Sequence, residues 1–126
     1  MKNLNIEATK YTPRIDLNAE TDVLSIAGKS YPENTFEFYK PVVEWVEEYF
    51  KETKNDKTVV NLDLEYLNSS SLKAYFDLLD ILEIAHDAGQ DIETNWIYDE
   101  ENDISEETGE DFQADFKGLD IKLVVK

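Results

Sequence analysis

The sequence contains no cysteine and only four glycines among its 126 residues. Without cysteine the chain can form neither a disulfide framework nor a thiolate metal site, and no thiolate nucleophile is available. The scarcity of glycine makes tight nucleotide-binding loops improbable, and neither a G-x-x-x-x-G-K-[ST] nor a G-x-S-x-G motif occurs. These absences remove the commonest sequence evidence for an enzyme.

Basic residues are the second shortage: 12 Lys and Arg stand against 29 Asp and Glu, for a net charge of −17. No Lys or Arg occurs between Lys73 and Lys117, and the acids are densest from Asp99 to Asp111. Nucleic acid and anionic membranes are therefore disfavoured as partners, because phosphate neutralisation needs clustered cations. The acidic stretch either docks a partner that is basic there or forms a solvated face that keeps the protein soluble.

Long apolar runs are missing as well. No segment approaches the roughly 20 apolar residues that span a bilayer, and no charged-then-apolar leader follows Met1. We therefore expect a cytoplasmic protein with no membrane partner. The length and the 41% hydrophobic content predict one domain over residues 1–126, large enough for a real core.

Candidate metal ligands are poorly arranged. The single histidine, His86, has no second His or Cys to complete a zinc site. Counting from Asp99, the acids partly match a calcium-binding EF-hand loop, but Ile104 stands where that loop needs glycine. We predict no metal site and no cofactor.

Hydrophobic periodicity predicts alternating strands and helices. The predicted strands are residues 4–8, 14–18, 23–27, 58–65, 91–98 and 119–125. Gly28 is expected to close the third strand, and residues 54–57 have the composition of a turn. The order ββ(β)-α-β-α-β-α-β predicts an α/β (α+β) fold in which helices pack against a mixed sheet.

Three helices fill the intervals between these strands. The first has Pro41 in its first turn, with residues 33–39 as a separate helical turn before it. The second begins near Ser70 and ends at Gly89, and the third covers residues 105–116. Apolar residues recur at helical spacing in the second helix: Leu72, Tyr75, Phe76, Leu79 and Leu82. Trp45 and Trp96 are expected in the core.

The most informative segment is the junction of the central strand and the second helix, where Asn68 precedes three serines, Ser69, Ser70 and Ser71. A helix N-terminus tolerates an added phosphate, because its unpaired N–H groups and macrodipole favour an anion. A phosphate there would change the charge that the surface presents to a partner. The alternative is that one serine caps the helix and the other two are solvated. The serines are therefore candidates for a phosphorylation switch.

A second candidate contact lies in the loop of residues 30–34, whose sequence is S-Y-P-E-N. Tyr31 is either an aromatic anchor for a partner or part of a structural turn. In the structural alternative, which we favour, Pro32 stiffens the turn and Asn34 caps the first helix.

The chain resembles the SiaC family of bacterial regulatory phosphoproteins. The resemblance is carried by S-Y-P-E-N at residues 30–34, F-Y at 38–39 with Pro41, E-Y-L-N-S-S-S at 65–71, W-I-Y at 96–98 and G-E-D-F at 109–112. These motifs occur in the family's order and span nearly the whole chain. The family has a fold like that of the STAS anti-anti-sigma-factor domains, which implies a single STAS-like domain here.

The resemblance implies a non-catalytic partner-switching protein. In such families a dedicated Ser/Thr kinase phosphorylates one hydroxyl at the start of the helix, and a PP2C-type phosphatase removes the phosphate. The unmodified form binds a downstream protein, in the best-known branch a diguanylate cyclase. The family's phosphorylated threonine maps to Ser69, with Ser70 and Ser71 as alternatives. Lys73 is one helical turn from Ser69 and could pair with the phosphate. The expected partner contacts are Tyr31, Glu65, Tyr66, Asn68, Ser70, Ser71 and Lys73.

Two other functions remain open from the sequence. Related folds hold small ligands at the edge of the sheet, so a ligand-binding sensor is the first alternative. A hydrolase that uses Asp63 and Glu65 near the serines is the second. It ranks last, because no nucleophile, base and orienting residue can be named together.

Overall fold

The computed structural model describes residues 1–52 and 56–126, so residues 54 and 55 of the turn predicted at 54–57 lie outside the described residues. The strands are β1 (Leu4–Ile6), β2 (Arg14–Asn18), β3 (Val23–Ser30), β4 (Thr58–Leu67), β5 (Ile92–Tyr98) and β6 (Lys122–Val125). The helices are α1 (Thr35–Tyr49), α2 (Ser69–Asp87) and α3 (Asp103–Asp115), and a 3-10 turn covers Lys117–Leu119.

The strands form one six-stranded mixed sheet in the order β1-β2-β3-β4-β5-β6. β1, β2 and β3 pair antiparallel, whereas β3, β4, β5 and β6 pair parallel. Because parallel crossovers are right-handed and each joins neighbouring strands, all three helices cover the same face. The predicted mixed sheet with packed helices is confirmed.

The core lies between the sheet and the helices. Along β4, Val60, Leu62 and Leu64 are buried, while the alternate residues Asn61 and Asp63 are partly exposed on the helix-free face. This alternation is the period of two that a strand with one covered face requires.

Aromatic side chains fill much of this core. Trp96 is 1% exposed and meets Phe112 edge-on, and Trp45 stacks on Tyr49 with ring centroids 5.1 Å apart. The prediction that both tryptophans belong to the core is confirmed.

Helix α1 is continuous, which corrects the prediction for Pro41. The helix begins at Thr35, and the Asn34 side chain caps it by accepting the Glu37 N–H at 3.0 Å. Pro41 is therefore the seventh residue of the helix and not in its first turn. Its ring lies on the exposed side, and it has no N–H to donate to the carbonyl of Glu37.

Strand β3 runs past Gly28, which corrects the prediction that it ends there. Gly28 has a φ of +127°, and the pairing with β4 shifts register between Gly28 and Lys29. The shift leaves Glu65 as an extra residue of β4 opposite the Gly28–Lys29 step, which is a bulge in β4, and pairing resumes as far as Ser30 opposite Leu67. β1 is two residues shorter than predicted, and β6 begins later, because the 3-10 turn takes up residues 117–119.

The second helix ends as predicted. Gly89 has a φ of +109°, its N–H donates to the His86 carbonyl, and the Gln90 N–H donates to the Ala85 carbonyl. This pair of bonds is the Schellman motif, which glycine favours. Within residues 1–52 and 56–126, no helix is long and apolar enough to cross a membrane.

Candidate functional site

The junction of β4 and α2 is organised by Asn68. Its side-chain oxygen accepts the Ser71 N–H at 2.9 Å, and its own N–H donates to the Ser30 carbonyl at 3.0 Å. Asn68 is therefore the N-cap, and the alternative that a serine caps this helix is wrong. Asparagine and serine are both strong caps, so the sequence alone did not separate them.

The three serines that follow point in three directions, because successive residues of a helix are about 100° apart. Ser69 is exposed, and its hydroxyl has no hydrogen bond within the described part of the chain. Ser70 is also exposed, but its Oγ lies 2.6 Å from the Thr35 Oγ1 at the start of α1. Ser71 is 0% exposed. Ser69 is thus the serine whose hydroxyl is both accessible and unengaged.

Ser71 belongs to a buried chain of hydroxyl groups. Its Oγ is 2.7 Å from the Ser30 Oγ, which is 2.5 Å from the Tyr39 hydroxyl, and Tyr39 donates to Tyr75 at 3.0 Å. Burial raises the pKa of both tyrosines above the ordinary value. This chain joins the first turn of α2 to β3 and α1, so Ser71 holds the helix in place and presents nothing at the surface. The sequence offered no signal that Ser30, Tyr39 and Tyr75 would meet.

A groove runs between α2 and α3, with Ser69 among the residues that line it. We call it the α2–α3 groove; its volume is about 500 Å³. Leu72 is 42% exposed and Phe76 45% exposed along its floor, where the Phe76 ring meets Phe116 at 4.8 Å. Both residues share the helical spacing of Tyr75, Leu79 and Leu82, which are buried, yet they stay partly exposed. The remaining lining residues are Lys73, Thr108, Asp111, Phe112, Ala114 and Asp115.

The rim of the α2–α3 groove is mainly acidic. Asp111 and Asp115 stand on the α3 side, and Lys73 on the α2 side has its Nζ 3.3 Å from the carboxylate of Asp77. Ile104, which is 75% exposed, lies one helical turn before Thr108 on α3 and extends the apolar surface. The groove therefore offers apolar area within a charged border, which is typical of protein-binding surfaces.

Tyr31 lies in a row of three tyrosines near the ends of β3 and β4. Its ring meets Tyr11 edge-on at 5.2 Å and Tyr66 at 5.7 Å, and its hydroxyl donates to the Lys10 carbonyl at 3.0 Å. Tyr31 is half-buried, whereas Tyr11 and Tyr66 are each about half exposed. The structure thus brings the predicted contacts Tyr31 and Tyr66 together. Tyr11 was missed, because nothing in the sequence places residue 11 beside residue 31.

Asp63 and Glu65 line a different cavity from Ser69. β4 and β5 stop pairing after Leu62, and a cleft of about 500 Å³ opens at that end of the sheet. Asn102 donates to the Glu65 carbonyl there at 3.0 Å, and the Asp63 carboxylate is 2.8 Å from Lys126 Nζ, which raises the pKa of Lys126. The structure therefore does not bring these carboxylates to the serine hydroxyl, as the hydrolase alternative requires.

Potential metal ligands are dispersed. Across the described ranges, no group of three or more His, Cys, Asp or Glu side chains is arranged to hold an ion. His86 is engaged at the other end of α2, where its Nδ1 lies 2.9 Å from the Gln90 carbonyl.

The structure thus combines a mixed α/β fold with an accessible serine beside an apolar groove. The sequence comparison then identifies the family: the chain belongs to the SiaC family of regulatory phosphoproteins, whose sequence model matches residues 6–126. The resemblance seen in the motifs is confirmed.

Individual relatives agree with this assignment. An uncharacterized protein of Pseudomonas aeruginosa (strain UCBPP-PA14) is 39% identical over 115 residues, covering 91% of this chain and 90% of that protein. The solved structure of SiaC of Pseudomonas aeruginosa is 35% identical, with a TM-score of 0.87 over 100% of this chain and 98% of that one. A further match, at 36% identity and a TM-score of 0.86 over 97% of each chain, comes from the crystal structure of diguanylate cyclase SiaD in complex with its activator SiaC from Pseudomonas aeruginosa.

Proposed function

We propose that this protein is a non-catalytic signalling protein that acts by partner switching, controlled by reversible phosphorylation of Ser69. A cognate Ser/Thr protein kinase adds the phosphate and a PP2C-type phosphatase removes it. The observation that carries the proposal is the position of Ser69, an exposed and unengaged hydroxyl beside the α2–α3 groove. Ser70 is engaged by Thr35 and Ser71 is buried, so neither is as accessible to a kinase.

The downstream partner in this proposal is a diguanylate cyclase. Support comes from the SiaC of Pseudomonas aeruginosa, which is the activator of diguanylate cyclase SiaD and covers 97% of this chain in the structural match. We also propose that residues 1–126 act as a single regulatory domain in the cytoplasm, where the nucleotide substrate of a cyclase is found.

The partner would cover the α2–α3 groove. Leu72, Phe76 and Ile104 supply the exposed apolar area that such a contact would bury. Of the predicted polar and aromatic contacts, Lys73 lines this groove, whereas Glu65 lines the cleft at the end of the sheet and Ser70 lines the other side of α2. We propose Tyr31, Tyr66 and Asn68 as further contacts of the same partner. Ser71 is no longer part of this surface, because it is buried.

A phosphate on Ser69 would oppose docking by desolvation. Covering a dianion with an apolar partner surface costs several kcal/mol, while a surface ion pair with a basic partner residue returns about 1 kcal/mol or less. The acidic groove favours a partner with basic residues around its contact surface, and such residues would attract the phosphate. The desolvation cost nevertheless exceeds the free energy gained from this attraction. Since each 1.4 kcal/mol is about tenfold in affinity, the switch needs only a few kcal/mol.

Lys73 would hold the phosphate in the modified state. It lies four residues after Ser69 on α2, one turn along the same face, and its present partner Asp77 is more than half exposed. An exposed ion pair is weak, so a phosphate can take Lys73 from Asp77 at little cost.

Two measurements test the proposal. Site-localising mass spectrometry on protein from its own cells, with and without phosphatase treatment, should find one phosphate on Ser69. Titration calorimetry against the cognate cyclase should then give wild-type affinity for Ser69→Ala and an affinity at least about tenfold lower for Ser69→Asp.

Ser70→Asp is the matched control, because residue 70 is exposed like Ser69 but lines the other side of α2. It should bind the cyclase within a few-fold of wild type. Equal affinities of Ser69→Ala and Ser69→Asp would contradict the switch, and so would the absence of phosphate from residues 68–71 under several growth conditions.

A further inference from the structure

A second groove lies on the other side of α2, between α1 and α2. We call it the α1–α2 groove; its volume is about 390 Å³, and its apolar surface comes from Phe36, Tyr39, Val43 and Ala74. Phe36 is 78% exposed, which makes it the most exposed large apolar side chain in the described part of the protein. The proposed switch does not account for this groove, because Ser69 does not line it.

The two helices that form the groove run in the same direction, since they follow neighbouring parallel strands on one face of the sheet. Their first turns meet where Thr35 Oγ1 lies 2.6 Å from Ser70 Oγ. Each helix carries a lysine followed four residues later by a carboxylate, and all four side chains line the groove. These residues are Lys40 and Glu44 on α1, and Lys73 and Asp77 on α2.

The rim of the α1–α2 groove consequently has no net charge, and the sign of its charges changes along the groove. Lysines lie toward the helix N-termini, and carboxylates lie one turn toward the C-termini. Neutrality is unusual on a chain with a net charge of −17, and it contrasts with the acidic rim of the α2–α3 groove. A uniformly basic or uniformly acidic partner would match only half of this rim.

A second copy of the same surface matches all of it. Two-fold packing with antiparallel helices places Lys40 of one copy opposite Glu44 of the other, and the equivalent contact repeats by symmetry. Each copy also contributes its exposed Phe36 to the apolar area. We propose that the α1–α2 face is a self-association surface through which two copies form an antiparallel, two-fold dimer.

Long-range electrostatics opposes this dimer and gives it a recognisable salt dependence. Two molecules of charge −17 repel each other, and salt screens that repulsion over about 10 Å at 0.1 M. Dimerisation should therefore strengthen as salt rises from low to physiological concentration. Docking of a basic partner on an acidic surface would weaken over the same range.

The test is sedimentation velocity on the full, unphosphorylated chain from low micromolar to several hundred micromolar concentration. Wild type should show a concentration-dependent dimer, and Phe36→Asp should weaken it by about tenfold or more. Ile84→Asp is the matched control: Ile84 is 65% exposed on the same helix pair but does not line the groove, so the dimer should persist.

Charge reversal tests the antiparallel geometry. Lys40→Glu and Glu44→Lys should each weaken the dimer, the second even though it lowers the net repulsion. The double variant, with both changes in one chain, should restore wild-type association, because each reversed side chain again meets its opposite. A wild type that stays monomeric at all concentrations would overturn the dimer. Failure of the double variant to recover would overturn the antiparallel arrangement.

Discussion

Ser69, Ser70 and Ser71 are chemically identical and occupy three different environments. Ser69 faces solvent at the α2–α3 groove, Ser70 bonds to Thr35, and Ser71 joins the buried hydroxyl chain with Ser30. The sequence identified the serine cluster and the start of the helix. It could not rank the serines, because their roles depend on residues more than thirty positions away.

At the residue scale, Asn68 is the side chain on which the orientation of the serines depends. Replacing it by alanine removes the acceptor for the Ser71 N–H, so we expect Asn68→Ala to lower the free energy of unfolding by about 1 kcal/mol. Urea denaturation followed by circular dichroism measures this change.

Asn68→Asp is the control for capping, since aspartate accepts the same bond and should retain most of the stability. A loss in the aspartate variant equal to that in the alanine variant would contradict the capping role.

At the element scale, α3 approaches the sheet closely at Gly109. A Cβ built there would lie 2.5 Å from Trp96 Cδ1 and 2.6 Å from Leu123 Cδ2. Trp96 is fixed in place, because its Nε1 donates to the Ser105 carbonyl at 2.9 Å within the same helix–strand contact. Glycine at this position therefore sets the distance between α3 and the sheet.

We expect Gly109→Ala to destabilise the protein. Alanine gains about 1 kcal/mol of helix propensity over glycine, but forcing a methyl group into a packed contact costs about 1–3 kcal/mol. Thermal unfolding should show a lower midpoint than wild type, whereas Glu110→Ala, on the exposed side of the same turn, should leave it nearly unchanged. A higher midpoint for Gly109→Ala would show that α3 sits farther from the sheet.

The elements also show where sequence patterns fail. The period of two located most of the sheet, and Gly89 marked the end of α2. Gly28 and Pro41 misled the prediction, because a strand can continue through a glycine that lies opposite a bulge and an exposed proline can lie within a helix. Leu72 and Phe76 fit the helical spacing of core residues, yet α3 lies far enough away to leave a groove above them. Pairing and packing between elements, which the local sequence does not encode, decided the outcome at Gly28, Leu72 and Phe76.

At the scale of the whole molecule, buried tyrosines govern stability at alkaline pH. The pKa values of Tyr39, Tyr49 and Tyr75 are raised, chiefly because burial disfavours the charged phenolate. In the unfolded chain these groups lose their protons near pH 10. The stability that these three tyrosines contribute is therefore fully present below about pH 10. It is lost as the pH rises from there toward their raised pKa values, because the unfolded state then binds fewer protons than the folded state.

We expect the free energy of unfolding to fall above about pH 10 by up to about 1.4 kcal/mol per pH unit for each of these tyrosines. Urea denaturation between about pH 8 and pH 11 measures this slope. Tyr11→Phe, at a tyrosine that is 52% exposed, should leave the slope unchanged. A free energy of unfolding that stays constant across this range would contradict the burial of the three phenols.

The direction in which each of the three serines points depends on the number of residues in the β4–α2 junction that precedes them. One additional residue inserted ahead of Ser69 would rotate the start of the helix by about 100° and move each serine into its neighbour's position. The hydroxyl now beside the groove would then face α1 or the core, and the site of modification would be lost although every serine remained. Relatives can vary in the identity of these residues, but selection on the switch should forbid insertions and deletions between strand and helix.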